Sequence, residues 1–141
     1  MNSTYLSQCL AIIEDATRGG GAECASRKLP QQWSVVEVVE HLQKAFKGTA
    51  KGFEICLEKG APIATGPAPL KKRVAAFVLI NFGYFPEGRE APKHIIPTGE
   101  LDLQAVLDAV RRDLDRLDTA AVKVRERFGR VKVVDHPILG A

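Results

Sequence analysis

The side chains of this 141-residue sequence best suited to metal ligation, proton transfer or nucleophilic attack are three imidazoles, His41, His94 and His136, and three thiols, Cys9, Cys24 and Cys56. Imidazole holds zinc and related ions through a neutral ring nitrogen, but one ring is not enough, since a catalytic zinc takes about three protein ligands and keeps one position for water. The cysteines are odd in number and show no C-x-x-C spacing, which speaks against a disulfide framework and against a cysteine zinc site. Cys9 and Cys56 fall inside apolar helical patterns, where cysteine behaves as a small buried hydrophobe, so all three are expected as free thiols. Neither His94 nor His136 belongs to an i, i+4 pair, and both are expected to be loop or turn residues. His41 stands at the flank of an apolar helical stripe, and spacing alone favours a hydrogen-bonded core histidine over a ligand.

The element that must position His41 is the best marked in the chain. Ser34 with Glu37 three residues later makes a capping box, and Trp33 with Val38 suits the hydrophobic staple around it, so a helix is expected to open at Trp33 and Ser34. Val35, Val38, Val39, Leu42, Phe46, Phe53 and Leu57 are expected to line its buried face, and Gly60-Ala61-Pro62 to end it. Before it, Leu6, Cys9, Leu10, Ile13, Ala16 and Thr17 predict a helix from about Ser3 to Arg18, stopped by Gly19-Gly20-Gly21.

Beyond Pro69 a third helix is expected from Leu70 to Phe82 or Tyr84, apolar around much of its circumference and therefore packed on more than one neighbour. Its first residues include the basic cluster Lys71-Lys72-Arg73, read as the solvated start of a helix. Phe85 to Gly99 holds three prolines and reads as a long irregular loop of the kind that forms lids and rims. Then Leu103, Leu107, Val110, Leu114, Leu117, Ala121, Val124 and Phe128 alternate spacings of four and three. Leu101, Val106, Ala109 and Ala120 widen that stripe to the width of a globular bundle helix. Gly129 stops it, and Val131 to Val134 reads as a short extended segment.

The segment Trp33-Ser34-Val35-Val36-Glu37-Val38-Val39-Glu40-His41-Leu42 resembles the W-S-x-x-E-x-x-x-H-L signature of the DinB-like superfamily of metal-dependent four-helix bundles. Phe85 to Pro92 with Pro97 is similar to the proline-rich loop of an uncharacterised branch of that superfamily. His136-Pro137-Ile138-Leu139-Gly140 is similar to its H-P-x-x-G motif. The resemblance implies an all-α, up-down-down-up bundle with a long crossover. It also implies a divalent metal, zinc or nickel, bound by one histidine on the second helix and an H-x-x-x-H pair on the last, serving a small-molecule or thiol transferase or hydrolase. His41 matches the first ligand. The sequence as given ends at Ala141, directly after the H-P-x-x-G-like stretch, so the final helix and its paired ligands have no counterpart. His41 is then one third of a metal site. The chain alone is expected to be inactive, not to retain the ion, and to self-associate as a homo-oligomer through the face left open, or else to be a shortened form of a longer protein. Glu37, one turn before His41, suits a supporting role to the metal only by giving up its cap, and the cap is the expected role.

The alternative is a non-enzymatic helical bundle acting as an oligomerisation or interaction module, with His41 structural. Composition bounds the rest. A chain with 45% hydrophobic residues and this length suits one domain with its own core. No apolar run approaches the roughly 20 residues of a membrane span, and no secretion signal opens the chain, so a cytoplasmic location is expected. Net charge is +3. The basic residues Arg111, Arg112, Arg125, Arg127, Arg130 and Lys132 are interleaved with Asp108, Asp113, Asp115, Asp118 and Glu126, which reads as surface pairing and gives no nucleic-acid footprint.

Overall fold

Apolar side chains spaced alternately by four and three share one face only on a helix, and the 103–128 pattern does form one. The computed structural model describes residues 1–64, 74 and 92–134. Among these the chain forms α1 (Thr4–Thr17), α2 (Gly21–Ala25), α3 (Val35–Lys59) and α4 (Leu103–Phe128), with a 3-10 turn over Lys93–Ile95 and no strand. The all-α class stands. No helix among the described residues is long and apolar enough to cross a membrane. Of the expected helix over Leu70 to Tyr84 only Val74 is described, and it is helical; the rest of that helix, the first part of the proline-rich loop and the His136 motif lie outside the described residues.

The two long helices make the main contact of the fold. Val36 and Val39 of α3 pack with Val106, Leu107, Val110 and Leu114 of α4, while Cys56 packs with Val124 and Val133. Early residues of one helix thus meet early residues of the other. Gln43 to Asp113 and Arg116 to Glu54 follow the same order, so α3 and α4 run parallel. α1 runs the other way: Glu14, near its end, binds Arg111, while Asn2 and Ser3 at its start bind Asp118 further along α4. Ile13 of α1 and Cys24 of α2 complete the larger core cluster.

The helix ends follow local chemistry. Ser3 caps α1 through its hydroxyl, Ser34 and Glu37 form the expected capping box on α3, and Asp102 caps α4. Gly60 closes α3 in the left-handed conformation at φ 68°. Gly19 takes φ 71° after α1, as expected of that glycine run, but the chain then re-enters a short helix, α2, which the run of glycines did not announce.

Two expectations need correction. The buried face of α3 is rotated from the one expected: Val35 and Val38 are exposed, and Val36, Glu37, Glu40, Gln43, Ala50 and Cys56 are buried beside Val39. Polar side chains occupy that face because each finds a partner. On α4, Asp113 and Asp118 are not surface charges but are buried. Asp113 accepts from Gln43 and Arg112, which outweigh the burial that works against its charge and hold its carboxyl below the usual carboxylate range. Asp118 accepts from the backbone N–H groups of Asn2 and Ser3. Residues Val131 to Val134 form no regular strand; instead the Val133 carbonyl accepts from Ile63 and Ala64 N–H at 2.9 and 3.0 Å and from the buried Cys56 thiol at 3.3 Å.

Candidate functional site

His41 lies in the second turn of α3, half-buried, with the strap of residues 92–99 laid across its side of the helix. Its Nδ1 is 2.9 Å from the carbonyl oxygen of Ile95. A carbonyl only accepts, so Nδ1 must carry the proton and donate, and the lone pair of the neutral ring is on Nε2. The Trp33 indole stacks on the imidazole with centroids 5.1 Å apart and a tilt of 43°. Trp33, expected to staple onto Val38, lies against the imidazole and limits how that ring can turn.

Two further side chains of α3, Lys44 and Glu40, hold the strap. Lys44 Nζ donates to the Ile96 carbonyl at 2.7 Å and pairs with Glu40 at 2.8 Å. Glu40 accepts from the Thr98 N–H, the Thr98 hydroxyl and the Gly99 N–H, all within 2.9 to 3.0 Å. Its side chain is 2% exposed. Burial pushes its carboxyl up, but Lys44, Thr98 and Gly99 together outweigh that and hold it at about 2. Gly99 reaches the carboxylate in the left-handed conformation, φ 72°. A Cβ there would meet Glu37 only at ordinary contact distance, so the cost of Gly99→Ala is conformational. The expected loss is about 1 kcal/mol in chemical denaturation; no loss would mean the strap does not need this conformation.

Glu37 keeps the cap, as expected. It accepts from the Ser34 N–H at 2.8 Å and from two nitrogens of Arg27. Arg27, chiefly, and Ser34 hold its carboxyl at about 2 against the opposing effect of burial. The cysteines are free thiols: Cys24 and Cys56 are buried, and burial pushes the half-buried Cys9 up. His94 is exposed on the 3-10 turn, in the residue next to the one whose carbonyl binds His41. His136 lies outside the described residues.

His41 fits the role of one nitrogen ligand, since metal-bound histidines commonly donate their second ring N–H to a backbone carbonyl, as this ring does. Among the described residues, however, no three His, Cys, Asp or Glu side chains come together as a metal-binding group. Glu37 and Glu40 are fully engaged with Arg27, Ser34, Lys44, Thr98 and Gly99. The described part of the chain offers one candidate nitrogen donor, His41, and the contacts that hold its ring. Sequence reasoning missed Glu40, Lys44, Thr98 and Gly99. The available signal was the spacing of Val36, Val39, Glu40 and Gln43, which puts two polar residues on a helical stripe that can only be buried if both are bonded. No family model, no curated protein and no solved structure matches the chain.

Proposed function

We propose that this chain is a DinB-like helical bundle in which His41 supplies one nitrogen ligand of a divalent-metal site, zinc or nickel, serving a small-molecule or thiol transferase or hydrolase. The observation that carries the reading is the Nδ1 hydrogen bond to Ile95, which leaves Nε2 as the lone-pair nitrogen. The parallel run of α3 and α4, with α1 opposed, is compatible with the helix directions of such a bundle and supports the reading. An ion at such a site polarises a bound water or thiol. His41 contributes a fixed ring, Trp33 restricts its rotation, and the strap holds its second nitrogen. The other ligands come from outside the described residues.

The test is metal content after purification without chelating resin. The protein compared is one that carries the full ligand set: stoichiometric zinc or nickel in it, lost in its His41→Ala variant, is the expected outcome. Equal trace metal in both rejects the reading.

The second reading is a non-enzymatic bundle that pairs with another copy, with His41 as a structural latch. Tyr5 and Ile12 on α1, 84% and 68% exposed, favour it, since large apolar side chains this open suit a partner surface. Sedimentation velocity distinguishes the two: a dimer that Ile12→Asp dissociates supports this reading, and a monomer across the accessible concentration range removes it.

A further inference from the structure

We propose that Glu40 is a positioning residue for His41: by gripping Thr98 and Gly99 it holds the Ile95 carbonyl against Nδ1, which fixes the imidazole tautomer with its lone pair on Nε2. This deepens the reading of His41 as a ligand and rests on it for its functional meaning, although the coupling itself concerns only residues of this chain.

The argument begins with cost. A carboxylate buried on a helix face is strongly unfavourable unless nearly every lone pair is used, and Glu40 uses its own on donors from Thr98, Gly99 and Lys44. None of those bonds is needed to form α3, which already has its cap at Ser34 and its end at Gly60. They hold one thing, the strap. Within that strap the residues are only a few apart, so an anchor at 98–99 limits where the carbonyl of residue 95 can go. Lys44 anchors the intervening residue 96 and bonds Glu40 as well, which joins the two grips. The carbonyl of Ile95 is thereby presented to His41 from a held backbone rather than a free loop. Which ring nitrogen of a histidine bears the proton is set by the bond the other makes. A solvated neutral imidazole prefers the proton on Nε2, the opposite of what this geometry imposes. The tautomer of His41 is therefore a readout of the strap.

The experiment is ring nitrogen NMR of the full-length chain, treated with chelator so that no ion sets the tautomer, at a pH where the imidazole is neutral. In the native protein Nδ1 is expected to be protonated. In Glu40→Gln the Thr98 and Gly99 amides should exchange faster, and the proportion of the Nε2–H form should rise roughly five- to tenfold, the change that follows from losing one ordinary hydrogen bond. An unchanged tautomer alongside faster exchange overturns the proposal, because the strap is then released without consequence for His41. Unchanged exchange overturns it too, because Glu40 is then not the grip. Should Glu40→Gln fail to fold, Thr98→Val, which removes the hydroxyl bond while keeping the side-chain shape, reads the same two quantities with a smaller expected change and the same criteria. The coupling and the metal reading fail separately. A shifted tautomer with no stoichiometric metal in the protein carrying the full ligand set leaves Glu40 as a positioning residue and removes the metal; stoichiometric metal there with an unshifted tautomer does the reverse.

Discussion

Leu114→Ala is expected to cost about 3 kcal/mol of folding stability, seen as a lower urea midpoint with an unchanged slope. Leu114 is fully buried at the centre of the α3–α4 seam, in one cluster with Val36, Val39, Val106, Leu107 and Val110 and with Ile13 from α1. Truncating it removes the transfer free energy of the lost carbons and leaves a cavity between two helices that also pack elsewhere along their length, which limits how far the gap can close. Tyr5→Ala, at an open position on α1, should stay within about 0.5 kcal/mol and serves as the control. A loss below about 1 kcal/mol at Leu114 would show that the seam is not the principal core.

That seam was the most legible part of the sequence on its α4 side. Leu107, Val110, Leu114, Leu117 and Val124 are all buried, and Leu103, Ala121 and Phe128 are half-buried, as a strict four-three spacing requires. The start of α3 was legible for a different reason: the capping box is a local device, and its two partners are three residues apart. What could not be read was everything that depends on partners distant in sequence. Val35 and Val38 look like core residues by hydropathy, while Glu40 and Gln43 look like solvent-facing ones. Yet Glu40 is buried by donors 58 and 59 residues away and Gln43 by an acceptor 70 residues away. Asp113 and Asp118 were misread in the same way. The candidate site divides along the same line. His41 could be singled out from its context in the chain, but the carbonyl that sets its tautomer comes from Ile95, across a proline-rich segment with no periodicity to place it.

Glu37 and Glu40, one turn apart on the same face of α3, do matched work in opposite directions along the chain. Glu37 ties the helix to the segment before it through Arg27, and Glu40 ties it to the segment before α4 through Thr98 and Gly99. Both are buried anions whose bonds are made outside the regular helix, so both support the non-helical parts of the fold around His41. This is an economical way to order loops that have little apolar surface of their own.

The second large effect is expected at Glu37. Glu37→Ala removes the return bond to the Ser34 N–H and leaves the Arg27 guanidinium, whose Nε lies 2.8 Å from the carboxylate, with only the Pro30 carbonyl and water. A lost cap is worth about 1 kcal/mol, and hydrogen bonds to a charged group about 1.5 to 3 kcal/mol. The Arg27 side chain is 46% exposed, so water recovers part of the loss, and about 2 to 3 kcal/mol is the expected total. Glu37→Gln keeps an acceptor for Ser34 and should fall between this variant and the native chain; a loss under about 0.5 kcal/mol for Glu37→Ala would remove Glu37 from the structural account. The same contact predicts a pH dependence. The folded carboxyl is held at about 2, chiefly by Arg27, against an ordinary value of 4.5. A group whose folded value is depressed contributes fully above its unfolded value, and that contribution falls away as pH drops from about 4.5 through about 2. The native urea midpoint should therefore decline more steeply than that of Glu37→Gln across this window, and the two should run in parallel above it. Parallel curves throughout would mean that the charge on Glu37 contributes nothing, leaving only the cap.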